Sequence, residues 1–338
     1  MTVSFTYAVA DYVGNYLPNT RRSSNNTIRS YCEGLAQFME FAEGRLGIGV
    51  GQIGPRDLTY ELFCDYVGHL LDKGLSKSTV NQRMAVVKSF MKWLARTDLS
   101  YLAAKEAICD VKPLKAPDPS MAWLTIEEVK TILSLPDAST STGLRDLAML
   151  VVLYDAAARA QEVCNLEIGD VNTIARTITL FGKGEKTRTV PLDRQAVKIL
   201  KAYTGSLESQ DARTPLFCGR LGGRITPSGI QYIIAKYVDR GRKITDGRLF
   251  DKTVTAHVFR HSKAMHILEA GVELIYIRDF LGHASVRTTE VYARANPEAK
   301  RAAILRHAEA VGVKPKRMSR KAEEDTIAKV RAIGRSSR

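Results

Sequence analysis

Along the first hundred residues, apolar positions recur every three or four, the spacing of one helix face. In Thr27 to Phe38 the residues Ile28, Tyr31, Leu35 and Phe38 fall on such a stripe. The pattern predicts a second helix from Thr59 to Leu71. A third follows the turn at Gly74, with Ser78 as N-cap and Val80, Met84, Val87, Met91 and Leu94 in register. The opposite face of that helix carries Gln82, Arg83, Lys88 and Lys92, a solvated face on its own and a set of phosphate contacts if the partner is a nucleic acid. Helical pattern begins near residue 27, with room for one short helix before it. That leaves too little chain for a further domain ahead of it, by expectation.

The periodicity stops at residues 110–121, DVKPLKAPDPSM, where three prolines mark a linker. The expected division is a helical domain over 1–112, a linker over 113–121, a second domain over 122–310 and a basic tail over 311–338. The second domain opens with Thr125-Ile126-Glu127-Glu128, which has capping-box spacing, followed by Val129, Ile132 and Leu133 as a core face. A helix is expected from Arg145 to Asp155. Thr177–Phe181 and Thr189–Leu192 read as strands joined by Gly182-Lys183-Gly184-Glu185, hence a hairpin. Helices are then expected over Arg194–Tyr203, Ser228–Tyr237, His257–Glu269 and Leu274–Phe280, and one in the tail near Glu323–Ile333. There is no internal repeat. The fold class is mainly α with a small β-sheet (α+β).

Composition narrows the functional classes. The 338 residues suit two domains, and 45% of them are apolar, enough for ordinary cores. No apolar run reaches the ~18 residues of a membrane span, and the N-terminus lacks a basic start followed by an apolar core. A membrane role and a secretory signal are therefore not expected. The five cysteines, Cys32, Cys64, Cys109, Cys164 and Cys218, are scattered without C-x-x-C spacing, which argues against a disulfide framework or zinc cage and fits a reducing cytoplasm. The net charge of +14 favours a polyanionic partner. Residues 1–115 contribute +3, residues 116–310 contribute +5, and the last 28 residues contribute +6.

Four segments of the second domain carry chemistry: Tyr154 to Val163 with Arg159 and Glu162; Gly182 to Arg188 with Lys183, Lys186 and Arg188; Thr255 to Ser262 with His257, Arg260 and His261; and Leu281-Gly282-His283, with Tyr292 nine residues further on. Their order and spacing resemble the signature of the tyrosine recombinase (phage integrase) family: an arginine in a T-G-x-R-x-x-E-L-like segment, a hairpin lysine, H-x-x-R-H, L-G-H, then a tyrosine. The likeness covers residues 122–300 most specifically. The first domain is similar to the family's helical, SAM-like core-binding domain. One position departs: Ala157 stands where the family usually has glycine.

The resemblance implies a site-specific recombinase or integrase, from a mobile element or a resolution system, that cuts DNA through a 3′-phosphotyrosyl intermediate. It implies a C-shaped clamp of two domains around double-stranded recombination sites, and four protomers assembled on DNA. The segment after Tyr292, including Ala302–Ala310, would pack on a neighbour; a disordered basic tail adding non-specific affinity is the plainer alternative. Accessory DNA-bending proteins are compatible. The expected setting is a bacterial cytoplasm, with the protein on the nucleoid.

The same residues can be argued without the family. A phosphodiester under attack gathers charge on its non-bridging oxygens, and two guanidiniums suit that charge because they are planar and permanently protonated. Arg159 and Arg260 take this role. His257 and His283 can donate hydrogen bonds or shuttle protons, Lys183 can protonate the departing 5′ oxygen, and Tyr292 is the nucleophile. Glu162 would hold Arg159, and His261 would be a structural neighbour of Arg260. Lys186, Arg188, Arg287 and Thr288 join Arg83 and Lys88 as candidate DNA contacts.

Each residue taken alone has a structural reading: Arg159 an ion pair with Glu162, Lys183 a solvated turn, His283 a helix cap, Tyr292 a core aromatic. His257 and His261 have a spacing that also suits metal ligands, but no glutamate follows His257 and no carboxylate or cysteine cluster lies nearby, so neither metal nor cofactor is expected. The ordered set is what favours catalysis. A type IB topoisomerase and a catalytically dead DNA-binding relative remain the alternatives.

Overall fold

The structure is a computed structural model that describes residues 4–116, 121–182, 187–219, 222–283, 285 and 287–295. The chain divides into two compact units, Met1–Pro119 and Ser120–Arg338.

The first unit is helical. It comprises α1 (Phe5–Asp11) running into a π-helical stretch (Tyr12–Thr20), then α2 (Asn25–Leu46), α3 (Tyr60–Asp72), α4 (Lys77–Thr97) and α5 (Leu102–Asp110). The N-terminal stretch is more than the single short helix expected. Phe5, Tyr12 and Leu17 are fully buried, and Tyr12 stacks on Tyr16 at 5.4 Å and meets the Phe90 ring edge-on at 5.3 Å. Such pairs add to the burial of their area. Helix α4 begins one turn-fraction earlier than expected. Its N-cap is Ser76, not Ser78: Ser76 has extended backbone and its hydroxyl accepts the Thr79 N–H at 3.2 Å, which places Ser78 inside the first turn. Helix α5 was not foreseen, since only Ala104 and Ile108 of its residues are buried and two positions make no visible period. The linker starts tied down: the Asn81 amide donates to the Leu114 carbonyl at 2.9 Å and accepts the Leu114 N–H at 2.8 Å.

The second unit packs helices around a small sheet. Its helices are α6 (Ile126–Ser134), α7 (Ser141–Asp155), α8 (Ala160–Asn165), α9 (Arg194–Gly205), α10 (Pro227–Ile244), α11 (Ala256–Glu269), α12 (Leu274–Leu281) and α13 (Arg287–Ala295). The capping box of α6 forms, with Thr125 accepting the Glu128 N–H at 3.1 Å and Glu128 accepting the Thr125 N–H at 2.7 Å. Helix α7 starts four residues ahead of the expected Arg145 because Thr140 caps it. It is buried nearly all round, from Ala148 to Leu153, and packs against α9 and α11. That makes it the central strut, and it ends where the first chemical segment begins.

Strands β1 (Val171–Asn172), β2 (Thr177–Phe181) and β3 (Thr187–Pro191) form an antiparallel sheet in the order β1-β2-β3. The expected hairpin is β2–β3, in which Ile178 faces Val190 and Leu180 faces Arg188. Ile178, Leu180 and Val190 point into the core. The edge strand β1 is two residues long, too short to leave a sequence pattern. Among the described residues, no helix is long and apolar enough to cross a membrane.

Candidate active site

Helix α7 ends at Asp155 and the chain turns through Ala156, Ala157 and Ala158, all fully buried. Ala157 takes a positive φ of 46° there, a conformation glycine adopts freely and an L side chain rarely. At the position where the family usually has glycine, Ala157 thus takes a backbone conformation that glycine favours. Arg159 follows as the N-cap of α8. Its backbone N–H donates to Glu162 Oε2 at 2.8 Å and its guanidinium donates to Glu162 Oε1 at 2.7 Å.

Glu162 also accepts both terminal nitrogens of Arg188, at 2.8 and 2.7 Å. Burial works to raise the Glu162 carboxyl, but Arg188, the Arg159 N–H and the Arg159 guanidinium together hold it below its ordinary value. It is a buried, ionised hub. Arg188, expected as a phosphate contact, is turned inward in this structure, with only 11% of its side chain exposed. The signal that could have found this was its place in β3 opposite the core residue Leu180.

Arg260 lies on the first turn and a half of α11, with 4% of its surface exposed. Its guanidinium donates to the Ala157 carbonyl at 2.8 Å and to the Leu281 carbonyl at 2.5 Å. One side chain therefore staples the turn before Arg159 to the end of α12. Burial, then the charges of Arg159 and Arg188, push its pKa down to about 9. The three guanidiniums grade outward from Arg260 through Arg188 to Arg159, whose side chain is 34% exposed and the most accessible to an incoming anion.

Helix α12 closes on Gly282 in the left-handed region, φ 64°. A Cβ at Gly282 would lie 3.0 Å from Arg188 Cδ, so a side chain there would be strained by conformation and would also crowd Arg188. The His283 N–H donates back to the Arg278 carbonyl at 3.0 Å, so His283 does complete a helix cap. Its ring is not idle: Nδ1 pairs with the buried Thr289 hydroxyl at 3.0 Å, and the ring lies parallel to that of Tyr292 at 6.4 Å.

Tyr292, on α13, is 1% exposed and packs with Ala157, Ala264, Met265, Ile277 and Leu281. Its hydroxyl pairs with His261 Nδ1 at 2.9 Å. Burial raises the phenol's pKa, against the pull of Arg260 and Arg159. Burial, then His257 and Arg260, lowers His261 to about 4. Burial, then Arg260, Arg159 and Arg188, lowers His283 to about 4. Exposed His257 is also lowered, by partial burial and then by Arg260 and Arg159. At neutral pH the imidazoles at 261 and 283 are uncharged, and among the described residues of this neighbourhood the positive charge is carried by the guanidiniums.

The structure thus brings Arg159, Glu162, Arg188, His257, Arg260, His261, His283 and Tyr292 into one neighbourhood. Lys183 and Lys186 lie outside the described residues, as do Ala302–Ala310, the tail over 311–338 and its helix near Glu323–Ile333. Arg287 begins α13, and Thr288 is exposed on its first turn.

In the first unit, Arg83 and Lys88 do not stand free on an open face. Arg83 donates to the Ser30 carbonyl at 3.3 Å and pairs with Glu33 at 3.5 Å, with 13% of its side chain exposed. Lys88 donates to the carbonyls of Cys109 and Val111. Among the described residues, no group of three or more His, Cys, Asp or Glu side chains is placed to hold a metal.

Residues 122–299 match the model of the phage integrase family, and residues 12–98 match that of the phage integrase N-terminal SAM-like domain. Tyrosine recombinase XerC of Myxococcus xanthus is 32% identical over 290 residues, which cover 84% of this chain and 91% of that protein. Tyrosine recombinase XerD of Staphylococcus epidermidis is 30% identical over 287 residues, 83% of this chain and 92% of that one. Among solved structures, the Tn1549 transposon integrase in complex with transposon right end DNA superposes with a TM-score of 0.70 at 17% identity, covering 89% of this chain and 99% of that one. The XerH site-specific recombinase bound to palindromic difH substrate gives 0.61 at 20% identity, covering 90% and 84%. At those identities the two structures speak for the fold.

Proposed function

This chain belongs to the phage integrase family and is a site-specific tyrosine recombinase that breaks and rejoins DNA, and from that premise we propose that Tyr292 is its nucleophile, with Arg159 and Arg260 holding the scissile phosphate. The observation that supports this reading is the convergence, around one buried phenol, of guanidiniums and imidazoles from four stretches distant in sequence.

In the proposed reaction the phosphate enters beside Arg159, the most open guanidinium, and its second non-bridging oxygen is neutralised from below by Arg260. The Tyr292 oxygen bonds to phosphorus as the bond to the 5′ oxygen breaks. Lys183 protonates that leaving oxygen, and His257 and His283 donate hydrogen bonds to the phosphate. Glu162 and Arg188 touch neither strand; they fix Arg159. The phosphotyrosyl ester retains the energy of the broken bond, so a 5′-hydroxyl of a second strand can attack it and reseal the DNA, with no ATP or metal called on.

The proposed partner is duplex DNA carrying recombination sites; of the two similar solved structures, one is in complex with transposon right end DNA and the other is bound to palindromic difH substrate. Assembly as a tetramer on paired sites, help from DNA-bending proteins, and action on a mobile element or in resolution within a bacterial cytoplasm are parts of the same proposal. Lys186, Arg287 and Thr288 are the proposed phosphate contacts near the site.

The test is covalent capture from a random-sequence library of nicked duplexes. The natural chain is expected to yield a protein–DNA adduct stable in denaturant, and Tyr292→Phe none. An adduct formed by Tyr292→Phe would remove Tyr292 from this role. Arg159→Ala and Arg260→Ala are expected to bind the captured duplexes and cleave them poorly, and undiminished cleavage by either would remove that arginine.

A further inference from the structure

The Tyr292 phenol is 1% exposed, and its proton must leave as the oxygen bonds to phosphorus. The one hydrogen bond of the Tyr292 hydroxyl among the described residues is to His261 Nδ1, at 2.9 Å. His261 is the residue after Arg260 on α11, so the imidazole and the phosphate-holding guanidinium share one rigid helix. One turn earlier on the same helix sits exposed His257, its ring perpendicular to that of His261 with centroids 6.3 Å apart.

We propose that His261 is a catalytic base: its Nδ1 takes the phenolic proton of Tyr292 during attack on the phosphodiester, and His257 passes that proton to solvent. The inference deepens the reading of Tyr292 as nucleophile and rests on it. The balance is closed. The Tyr292 oxygen gains phosphorus and loses its proton to His261, while the phosphorus loses the 5′ oxygen, which takes its proton from Lys183. In resealing, Lys183, left neutral by cleavage, takes the proton of the incoming 5′-hydroxyl, and His261, reprotonated from solvent through His257, returns one to the departing phenolate.

The charged and titratable groups facing His261 are Arg260 and His257 on α11, Tyr292 on α13 and His283 after α12. With no anion present, burial, the neighbouring His257 and the Arg260 charge hold its proton affinity low. A phosphodiester seated on Arg260 and Arg159 brings the opposite charge into the same space. It raises the basicity of His261 at the moment a base is needed, so DNA binding and base activation are one event. In the proposed arrangement neutral His261 holds its ring proton on Nε2, which leaves the Nδ1 lone pair to the phenol.

The experiment uses duplexes recovered by covalent capture on the natural chain, synthesised with an oxygen or a bridging sulfur at the 5′ leaving position. Sulfur departs without a protonating acid, so with it the phenol's is the only proton in flight. His261→Asn keeps a polar atom near the Nδ1 position but cannot carry the proton. At pH 7 its single-turnover adduct rate is expected to fall about 100-fold on both substrates. The deficit is expected to narrow by at least about tenfold between pH 7 and pH 9, as hydroxide takes over deprotonation.

A rate within threefold of the natural chain, a deficit independent of pH, or recovery on the sulfur substrate would each overturn the proposal. The natural chain supplies a measurement that needs no variant. Its adduct rate on the sulfur substrate should slow about twofold or more in deuterium oxide, and a ratio of one would also overturn it. Adduct formation by Tyr292→Phe would instead defeat the nucleophile assignment, so the two failures are distinguishable.

Discussion

Arg188 grips both carboxylate oxygens of Glu162, at 2.8 and 2.7 Å, while Arg159 takes a third hydrogen bond from the same carboxylate. A strand of the hairpin is thereby tied to the segment that offers Arg159 to substrate. Three arginines crowd this corner and one carboxylate offsets them.

Removing that carboxylate should be costly. Glu162→Ala leaves Arg188 and Arg260 buried without an anion, and breaking a buried pair from one side costs about 3 kcal/mol or more. Urea denaturation of the second unit's transition should show a loss of that size, whereas Glu162→Gln, which still accepts hydrogen bonds, should lose less. A loss below about 1 kcal/mol for Glu162→Ala would mean the arginines relax to solvent.

The positive φ of Ala157 makes an unusual prediction for a fully buried residue. Ala157→Gly removes the ~1–2 kcal/mol cost of an L residue in the left-handed region. It also loses a buried methyl and loosens the unfolded chain, terms of about 1 kcal/mol each. Stability should therefore change by no more than about 1 kcal/mol in thermal melts. Ala157→Val should lose about 3 kcal/mol or more, because a branched Cβ is both strained and overpacked there.

His261 and His283 give the second unit an acid sensitivity. Both are lowered to about 4 in the fold, by burial first and then by nearby positive groups, against about 6.5 unfolded. The unfolded chain therefore binds protons more readily. Their stabilising contribution is complete above pH 6.5 and is lost progressively as pH falls from 6.5 to 4. Half-buried rings are partly screened, so about 1 kcal/mol each is expected, or a few degrees in Tm between pH 7 and pH 5. His283→Gln should flatten that slope, and an unchanged slope would remove His283 as its source.

Lys88 is a test of the first unit. Its ammonium serves the carbonyls of Cys109 and Val111, at the end of α5. Lys88→Met should destabilise the protein by about 1–2 kcal/mol by leaving those acceptors short. It should also leave the salt dependence of DNA binding nearly unchanged. A fall of about 0.9 in the slope of log affinity against log salt would instead identify a phosphate contact.

Much of the fold was legible because periodicity survives wherever one face is buried. The capping box at Thr125 and Glu128, the stripe from Val80 to Leu94 and the β2–β3 hairpin all announce themselves locally. The π-helical stretch, α5 and β1 did not, since a short or irregular element buries too few positions to make a pattern. Ser76 displaced Ser78 as a cap because both are serines and only backbone geometry chooses between them.

The sequence by itself determined the candidate chemistry: which arginines, histidines and tyrosine stand in the family's order, and that their elements are helices and a hairpin. It could do so because residue identity and local period are properties of neighbouring positions. Tertiary structure alone decided the partners: that Arg188 turns inward to Glu162, that Arg260 staples the Ala157 and Leu281 carbonyls, and that the Tyr292 hydroxyl meets His261. Those pairs join segments that only packing brings within 3 Å, where burial makes each unmet polar group costly and so selects the partner.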